Sequence, residues 1–442
     1  MKRVLLISYV FPPVGGAGVQ RAVKFSKYLP RHGWEVSVLT ASNPSVPLFD
    51  SSLQNDVPSD TVIERARTLE PSYAAKASVA VNSSHRDRWG FRKFIKSVAR
   101  STASTLLQPD PQILWAPQAM KRASQLLKSM RHDAIIATAP PFSSLIIGKR
   151  LSQKFGLPLV VDYRDEWEIS NAYWENRRPQ GFITYWQRRQ QAAVLRRASA
   201  ILATTKSSAD SISRIARASG SQASAHAIYN GYDPDDFHDA ISKASHRRVG
   251  EDVRLTYTGT LWQLTTIGPL VSAIEIVSQR EPLLASRLTV TICGRRTSDQ
   301  DVLINRLRQT NCRLDLRDYA PHAEMASLLC SSDCLCLLLA ESSDAGRVVP
   351  AKTFEYIAAR RPILAIAPKG EVWDILESHP AACLYEPQDV EGIAEGLEAT
   401  LKRVGGGQDQ PLSISAYPQY SRDAQARQLG ELLDRVIRKR DA

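Results

Sequence analysis

Cysteine is scarce: six thiols in 442 residues, all beyond position 290. No Cys-x-x-Cys pair occurs and no histidine follows at zinc-finger spacing, which argues against a zinc module or a disulfide framework. Cys334 and Cys336 alternate on an apolar stretch, so both point to one side of a strand, and they read as buried thiols in a reducing compartment. Long apolar runs are also missing. Runs such as Cys334 to Ala340 fall well short of the roughly 20 residues that a membrane-spanning helix needs. The opening Met-Lys-Arg-Val-Leu-Leu-Ile is cut off by Pro12, Pro13 and two glycines, which suits a first β-strand better than a signal peptide, and the expected location is the cytoplasm. No repeat of solenoid period is present. With 43% hydrophobic and 23% charged residues, the composition excludes disordered and collagen-like chains.

The length suits two or three domains of about 150 residues. Lysine and arginine number 57 against 45 acids, a formal charge of +12. That balance fits either plain solubility or an anionic partner such as a phosphorylated ligand or an acidic membrane. Nucleic acid is not expected, because no recognised binding motif appears. Short apolar strands alternate with helical stretches: Val4–Ser8, a helix from about Val19 to Leu29, and Glu35–Thr40 make one β-loop-α-β unit, the opening of a doubly wound parallel sheet. Ala134–Thr138, Leu159–Asp162 and Ala200–Thr204 continue it. A second α/β series begins with Arg254–Gly259 and Leu288–Gly294 and runs on through Asp333–Ala340 and Pro362–Ile366. The expected division is 1–228, a linker over 229–250, 251–415, and a last amphipathic helix within 416–442. Gly405–Pro411 reads as a polar loop.

Two constellations are able to carry chemistry. Phe11-Pro12-Pro13-Val14-Gly15-Gly16-Ala17-Gly18 follows a strand and precedes a helix. It is either a structural turn or a place where a ligand approaches the backbone and an anion meets a helix start. Its spacing is not G-x-G-x-x-G, which disfavours a nicotinamide dinucleotide. In Val349-Pro350-Ala351-Lys352-Thr353-Phe354-Glu355, Pro350 suits a helix start, and Lys352 and Glu355 share a face. A lysine in the first turn opposes the helix dipole, so an anion beside it would offset the cost. Glu355 is placed to accept from vicinal hydroxyls. The plain alternative is a surface ion pair.

With these segments go Ala139-Pro140-Pro141-Phe142-Ser143, Asp162-Tyr163-Arg164-Asp165-Glu166-Trp167, Tyr229-Asn230-Gly231-Tyr232-Asp233, Tyr257-Thr258-Gly259-Thr260-Leu261 and Arg361-Pro362-Ile363. In that order, over essentially the full length, the chain resembles the retaining, nucleotide-sugar-dependent glycosyltransferases of family 4, with the GT-B fold of two Rossmann-like α/β domains facing across a cleft. The resemblance implies that Gly15 and Gly16 face the donor diphosphate and the acceptor. Glu355 would hold the nucleotide ribose, and the loop Asp318-Tyr319-Ala320-Pro321, with Tyr319 at its centre, would read the base. Val348 and Val349 would lie by the diphosphate. The final helix would cross back onto the first domain.

Two departures stand out. The family often has two glutamates eight positions apart, and here Arg347 stands eight before Glu355. Gly259 is followed by Thr260 rather than arginine, and no lysine lies in Leu261–Leu270. Lys352, Arg347 or the Arg295-Arg296 pair would then supply the positive charge. All polar atoms of an arginine are donors, so Arg347 suits a diphosphate or a sugar carboxylate and not a sugar hydroxyl's proton. Asp165, at a strand's carboxyl end, is the best carboxylate to orient an acceptor hydroxyl, unless it pairs with Arg164. The implied activity is transfer of a sugar from a nucleotide-sugar donor to a glycan or polyprenyl-diphosphate-linked acceptor with retention of configuration, in cell-surface polysaccharide assembly. No metal or other cofactor is expected, since no Asp-x-Asp motif recommends itself. The other readings are a GT-B-like nucleotide-sugar epimerase and a non-catalytic nucleotide-sugar-binding subunit. Finally, Arg86–Arg100 interleaves cations with Trp89, Phe91, Phe94, Ile95 and Val98. It reads either as a packed helix with a basic face or as an interfacial helix on anionic lipid.

Overall fold

The computed structural model describes residues 1–73, 107–168, 181–244, 252–342, 344–404 and 417–441. The basic stretch Arg86–Arg100, the Gly405–Pro411 loop and the end of the expected linker lie outside the described residues. The chain divides into two compact units, Met1–Tyr229 with Asp423–Ala442, and Asn230–Arg422.

The first unit holds a seven-stranded parallel sheet: β1 (Lys2–Ile7), β2 (Trp34–Ala41), β3 (Val62–Ala66), β4 (Ala134–Ala139), β5 (Leu159–Tyr163), β6 (Ala200–Ala203) and β7 (Ser224–Ala227), in the order β3-β2-β1-β4-β5-β6-β7. Its helices are α1 (Ala17–Tyr28), α2 (Ala116–Ser129), α3 (Ser143–Phe155), α4 (Phe182–Leu195) and α5 (Lys206–Ala218). The central strands read as unbroken apolar runs because both faces are covered. Period-two alternation sorts their side chains into two layers. Leu5, Ile7, Ile135, Ala137, Leu159 and Val161 enter one core, and Val4, Leu6, Ala134, Ile136 and Val160 the other. The second layer is closed by the last helix of the chain, α14 (Arg422–Asp441), through Ala426, Leu429, Leu432, Leu433 and Val436. The indole N–H of Trp34 fixes that helix by donating to Asp434, 2.9 Å away.

The second unit repeats the pattern with six parallel strands, β8 (Val253–Thr258), β9 (Leu288–Cys293), β10 (Arg313–Arg317), β11 (Cys334–Leu338), β12 (Ile363–Ile366) and β13 (Ala382–Tyr385), ordered β10-β9-β8-β11-β12-β13. Around them lie α6 (Pro234–Ala244), α7 (Gly268–Arg280), α8 (Pro282–Ala285), α9 (Ser298–Leu307), α10 (His322–Cys330), α11 (Lys352–Ala358), α12 (Glu371–Leu376) and α13 (Val390–Val404). Cys334 and Cys336 enter the same core, alongside Val253, Leu255 and Tyr257. All six cysteines are free thiols.

The stretch 229–250 differs from a plain linker, since residues 234–244 form α6. Pro234 opens this helix, Asp235 and Asp236 sit in its first turn where the dipole favours acids, and the Asp235 N–H donates to the Asp233 carboxylate at 3.0 Å. Phe237 and Ala240 are buried, which anchors the helix. The turn-rich sequence before it is the helix's own start signal.

Candidate functional site

In each unit the strand order reverses beside the first strand, between β1 and β4 and between β8 and β11. Open parallel sheets bind ligands outside the carboxyl ends of the strands at such switch points. Gly259, Thr260 and α11 fall at this place in the second unit, and the Phe11–Gly18 and Pro140–Ser143 loops in the first.

The second-unit site is built on a close approach of two strand ends. Gly259 and Gly294 both have positive φ, +108° and +141°, and a Cβ on Gly294 would lie 2.2 Å from the Gly259 carbonyl oxygen. Lys352 opens α11 and reaches back over this edge, with Nζ 2.8 Å from where a Cβ on Gly259 would sit. Nζ donates to the Tyr257 hydroxyl at 2.8 Å and lies 4.0 Å from the ring centroid. The Tyr257 hydroxyl donates in turn to the Thr260 carbonyl at 2.9 Å. One turn on, the Tyr356 hydroxyl accepts from the Thr258 N–H at 3.0 Å. Lys352 and Tyr356, four apart on one helix face, therefore clamp α11 onto the end of β8. Burial pulls the Lys352 ammonium down to about 7, against the opposing pull of Glu355 and Cys336. Such a lysine gains from an anion placed against it.

Glu355 does not pair with Lys352, whose Nζ is turned to Tyr257. Among the described residues its carboxylate has no hydrogen-bond or ion-pair partner. Burial holds it above the usual carboxyl range, with His322, Arg422 and Lys352 working the other way and Asp236 assisting. His322 is itself tied to Asp236 at 2.9 Å. An open acceptor thus stands one helical turn from an anion-seeking cation.

The other expected residues of this unit are placed as follows. Thr260 and Arg295 are exposed at the ends of β8 and β9. Arg296 turns back onto its own loop, donating to the Gly294 carbonyl at 3.0 Å. Tyr319 is partly exposed after β10, and the carbonyl beside it, Asp318, accepts from the Cys293 thiol. Val349 is buried and Val348 half-buried. Their loop is held by Gly346, where a Cβ would stand 2.9 Å from the Lys369 carbonyl. Arg347 donates to Asp344 at 2.7 Å, with about a quarter of its side chain exposed.

In the first unit, Gly15 and Gly16 lie on a loop pinned to its neighbour: the Gly15 N–H donates to the Leu48 carbonyl at 3.1 Å and the Asp50 N–H to the Pro13 carbonyl at 2.8 Å. Arg164 does not hydrogen-bond to Asp165. Its guanidinium donates to the carbonyls of Gly18 and Pro140, tying the two switch-point loops together. Of the acids at the end of β5, Asp162 takes Arg21, and Glu166 accepts from Ser208 and Ser211 at 2.7 and 2.9 Å. Asp165 is left at the surface.

The sequence alone assigned no role to Tyr257, Tyr356 or His322, and offered Arg164 only as a partner for Asp165. The signal for the tyrosines was present: a hydroxylated aromatic two residues before a strand-end glycine, and another four residues after a helix-starting lysine.

Residues 15–231 match the family model of the glycosyl transferase 4-like domain. Solved structures agree over the whole chain. The Anabaena protein Alr3699/HepE, in complex with UDP and glucose, superposes with a TM-score of 0.60 at 15% identity, covering 98% of this chain and 100% of that one. The UDP-forming α,α-trehalose-phosphate synthase from Burkholderia xenovorans gives 0.58 at 14% identity, with 99% of each chain covered. The lipopolysaccharide outer core galactosyltransferase WaaB, in its apo form, gives 0.56 at 12%, with both chains covered fully. No curated protein matches the sequence. Residues 15–231 thus resemble a glycosyl transferase 4-like domain, and the two Rossmann-like parallel sheets give the chain the GT-B fold of these solved structures.

Proposed function

We propose that the chain is a glycosyltransferase that moves a sugar from a nucleotide-sugar donor to a glycan or polyprenyl-diphosphate-linked acceptor, retaining anomeric configuration, in cell-surface polysaccharide assembly. The observation that carries this reading is the arrangement at the second unit's switch point: Lys352 against Gly259, with the Glu355 carboxylate, unpartnered among the described residues, one turn further on. Solved structures of the same fold hold UDP and UDP-glucose. In this reading Glu355 accepts from the ribose hydroxyls and Tyr319 flanks the base. The backbone at Val348 and Val349 borders the diphosphate, and the glycine loop at Gly15 and Gly16 faces the acceptor. Lys352, with Arg347, Thr260 and Arg295, stabilises the departing diphosphate. Asp165 orients the acceptor hydroxyl, and the leaving phosphate accepts its proton. No metal is assigned a part. The segment Arg86–Arg100 is proposed to touch an anionic membrane.

The test is Glu355→Ala. A hydrogen-bonded charged acceptor contributes about 1.5–3 kcal/mol, so affinity for nucleoside diphosphate should fall roughly ten- to hundredfold in calorimetry. An unchanged affinity in a folded variant would overturn the ribose assignment.

Binding should also be linked to protons. With its folded value near 7, the Lys352 amine is mostly neutral at pH 8 in the free protein, and a seated diphosphate favours the ammonium form. Diphosphate binding at pH 8 is therefore expected to take up a proton, and affinity should decline as pH rises above 7. Calorimetry in two buffers of different ionisation heat measures the uptake, and Lys352→Met should abolish it.

A second reading, a nucleotide-sugar-binding subunit without turnover, draws on Arg347 standing where the family often has an acid. Transfer assays over a donor panel separate the two: tight binding without transfer or hydrolysis would favour the subunit.

A further inference from the structure

Helix α4 (Phe182–Leu195) is amphipathic in an unusual sense. It is fixed to the first unit by Gln187, Gln191, Val194 and Leu195, which are buried. Gln187 donates to the Gln108 side chain at 2.8 Å and to the Pro109 carbonyl at 3.1 Å. The outward face carries its largest rings: Phe182 is 71% exposed, Tyr185 54% and Trp186 46%. With Arg189 they occupy positions i, i+3, i+4 and i+7, a single stripe. The stripe is ordered by its own contacts. The Phe182 and Trp186 rings stack at 6.5 Å, and Arg189 lies 5.7 Å from the Tyr185 ring while donating to its hydroxyl at 2.9 Å.

Three large rings held in water are an uncompensated hydrophobic cost unless something covers them. Charge indicates what. The first unit contains 37 lysines and arginines against 19 acids, whereas the second contains 20 against 26. The whole positive excess of the chain thus belongs to the unit that carries the stripe. From Phe182 to Arg197 there are four arginines and no acid. Aromatic rings with polar handles beside guanidinium groups suit the boundary between lipid headgroups and acyl chains, where rings bury and cations meet phosphate.

The geometry points to the Phe182–Tyr185–Trp186–Arg189 face of α4 as a docking surface for anionic lipid. This inference stands apart from the glycosyl-transfer reading and from the segment Arg86–Arg100. It assigns contact to rings as well as charge, so salt alone should release the protein only in part.

The test is co-sedimentation of the full-length protein with vesicles of about 30 mol % phosphatidylglycerol in phosphatidylcholine, and with phosphatidylcholine alone. The wild type should partition onto the acidic vesicles. Phe182→Ser with Tyr185→Ser and Trp186→Ser should lower that partition at least about tenfold, with an unchanged urea midpoint and unchanged nucleotide affinity. Arg188→Gln with Arg189→Gln should weaken binding less and flatten its salt dependence. Equal partition of wild type and triple variant would overturn the proposal, as would failure of the wild type to bind acidic vesicles. So would a wild-type dimer in sedimentation velocity that the triple variant converts to monomer, because the stripe would then join copies of the chain. Nucleotide affinity is read separately, so loss of the donor-site reading would leave the vesicle result standing, and the reverse.

Discussion

Lys352→Met is expected to lower turnover with the best nucleotide-sugar donor by about 10²–10³-fold, the usual effect of deleting one preorganised group that meets developing negative charge. The argument rests on position and electrostatics. Nζ is held at the end of β8 by the Tyr257 hydroxyl, 2.8 Å away, so in the proposed reaction it needs little reorganisation as a diphosphate departs. Partial burial that pulls its value down to about 7 also means that its charge is poorly solvated until an anion arrives. Methionine keeps the length and apolar contact with Tyr257 but removes the charge. The loss should appear in kcat with every accepted donor, since leaving-group stabilisation does not depend on the sugar. Tyr257→Phe should produce a smaller loss, because it frees the lysine without deleting it. Full activity of a folded Lys352→Met protein would remove this residue from the mechanism.

Arg21→Met should destabilise the first unit by about 3–5 kcal/mol, because it leaves the Asp162 carboxylate buried without its partner. The pair is nearly solvent-free, with Nη2 2.9 Å from Oδ1, and Nε also donates to both carboxylate oxygens at 3.1 and 3.0 Å. The other arm of the guanidinium donates to the Ile228 and Tyr229 carbonyls at 2.9 and 3.1 Å, where the chain leaves the first unit. One side chain therefore joins α1, the end of β5 and that exit. Urea unfolding of the full chain measures the effect. Removing both charges, as Arg21→Met with Asp162→Leu, should recover most of the loss, whereas a cost below about 1 kcal/mol for the single change would show that the pair matters little.

Much of this architecture is legible from the chain alone. Continuous apolar runs, such as Val4–Ile7 and Cys334–Leu338, disclose buried parallel strands, because a strand covered on both faces needs no alternation. Lys352 and Glu355 declare a shared helix face through their spacing, and Pro350 declares where that helix starts. Cys334 and Cys336 announce a common side through period two. These are local facts, set by repeats of 2 and 3.6 residues and by the fixed backbone preferences of proline and glycine.

The partners of those residues are another matter. Spacing left open an ion pair between Lys352 and Glu355. The fold instead gives Lys352 to Tyr257, 95 positions earlier, and leaves Glu355 open. Arg164 adjoins Asp165 in sequence yet serves the Gly18 and Pro140 carbonyls, and Asp162 takes Arg21 from 141 positions away. Residues 234–244, turn-rich at their leading edge, become a helix because Phe237 and Ala240 find a core. The outward turn of Phe182, Tyr185 and Trp186 depends on which face of α4 the sheet accepts. Sequence fixes which way a side chain points relative to its own element. Which groups then meet depends on strand order and register, and those are settled only when the sheets assemble and distant charges must find partners or remain in water.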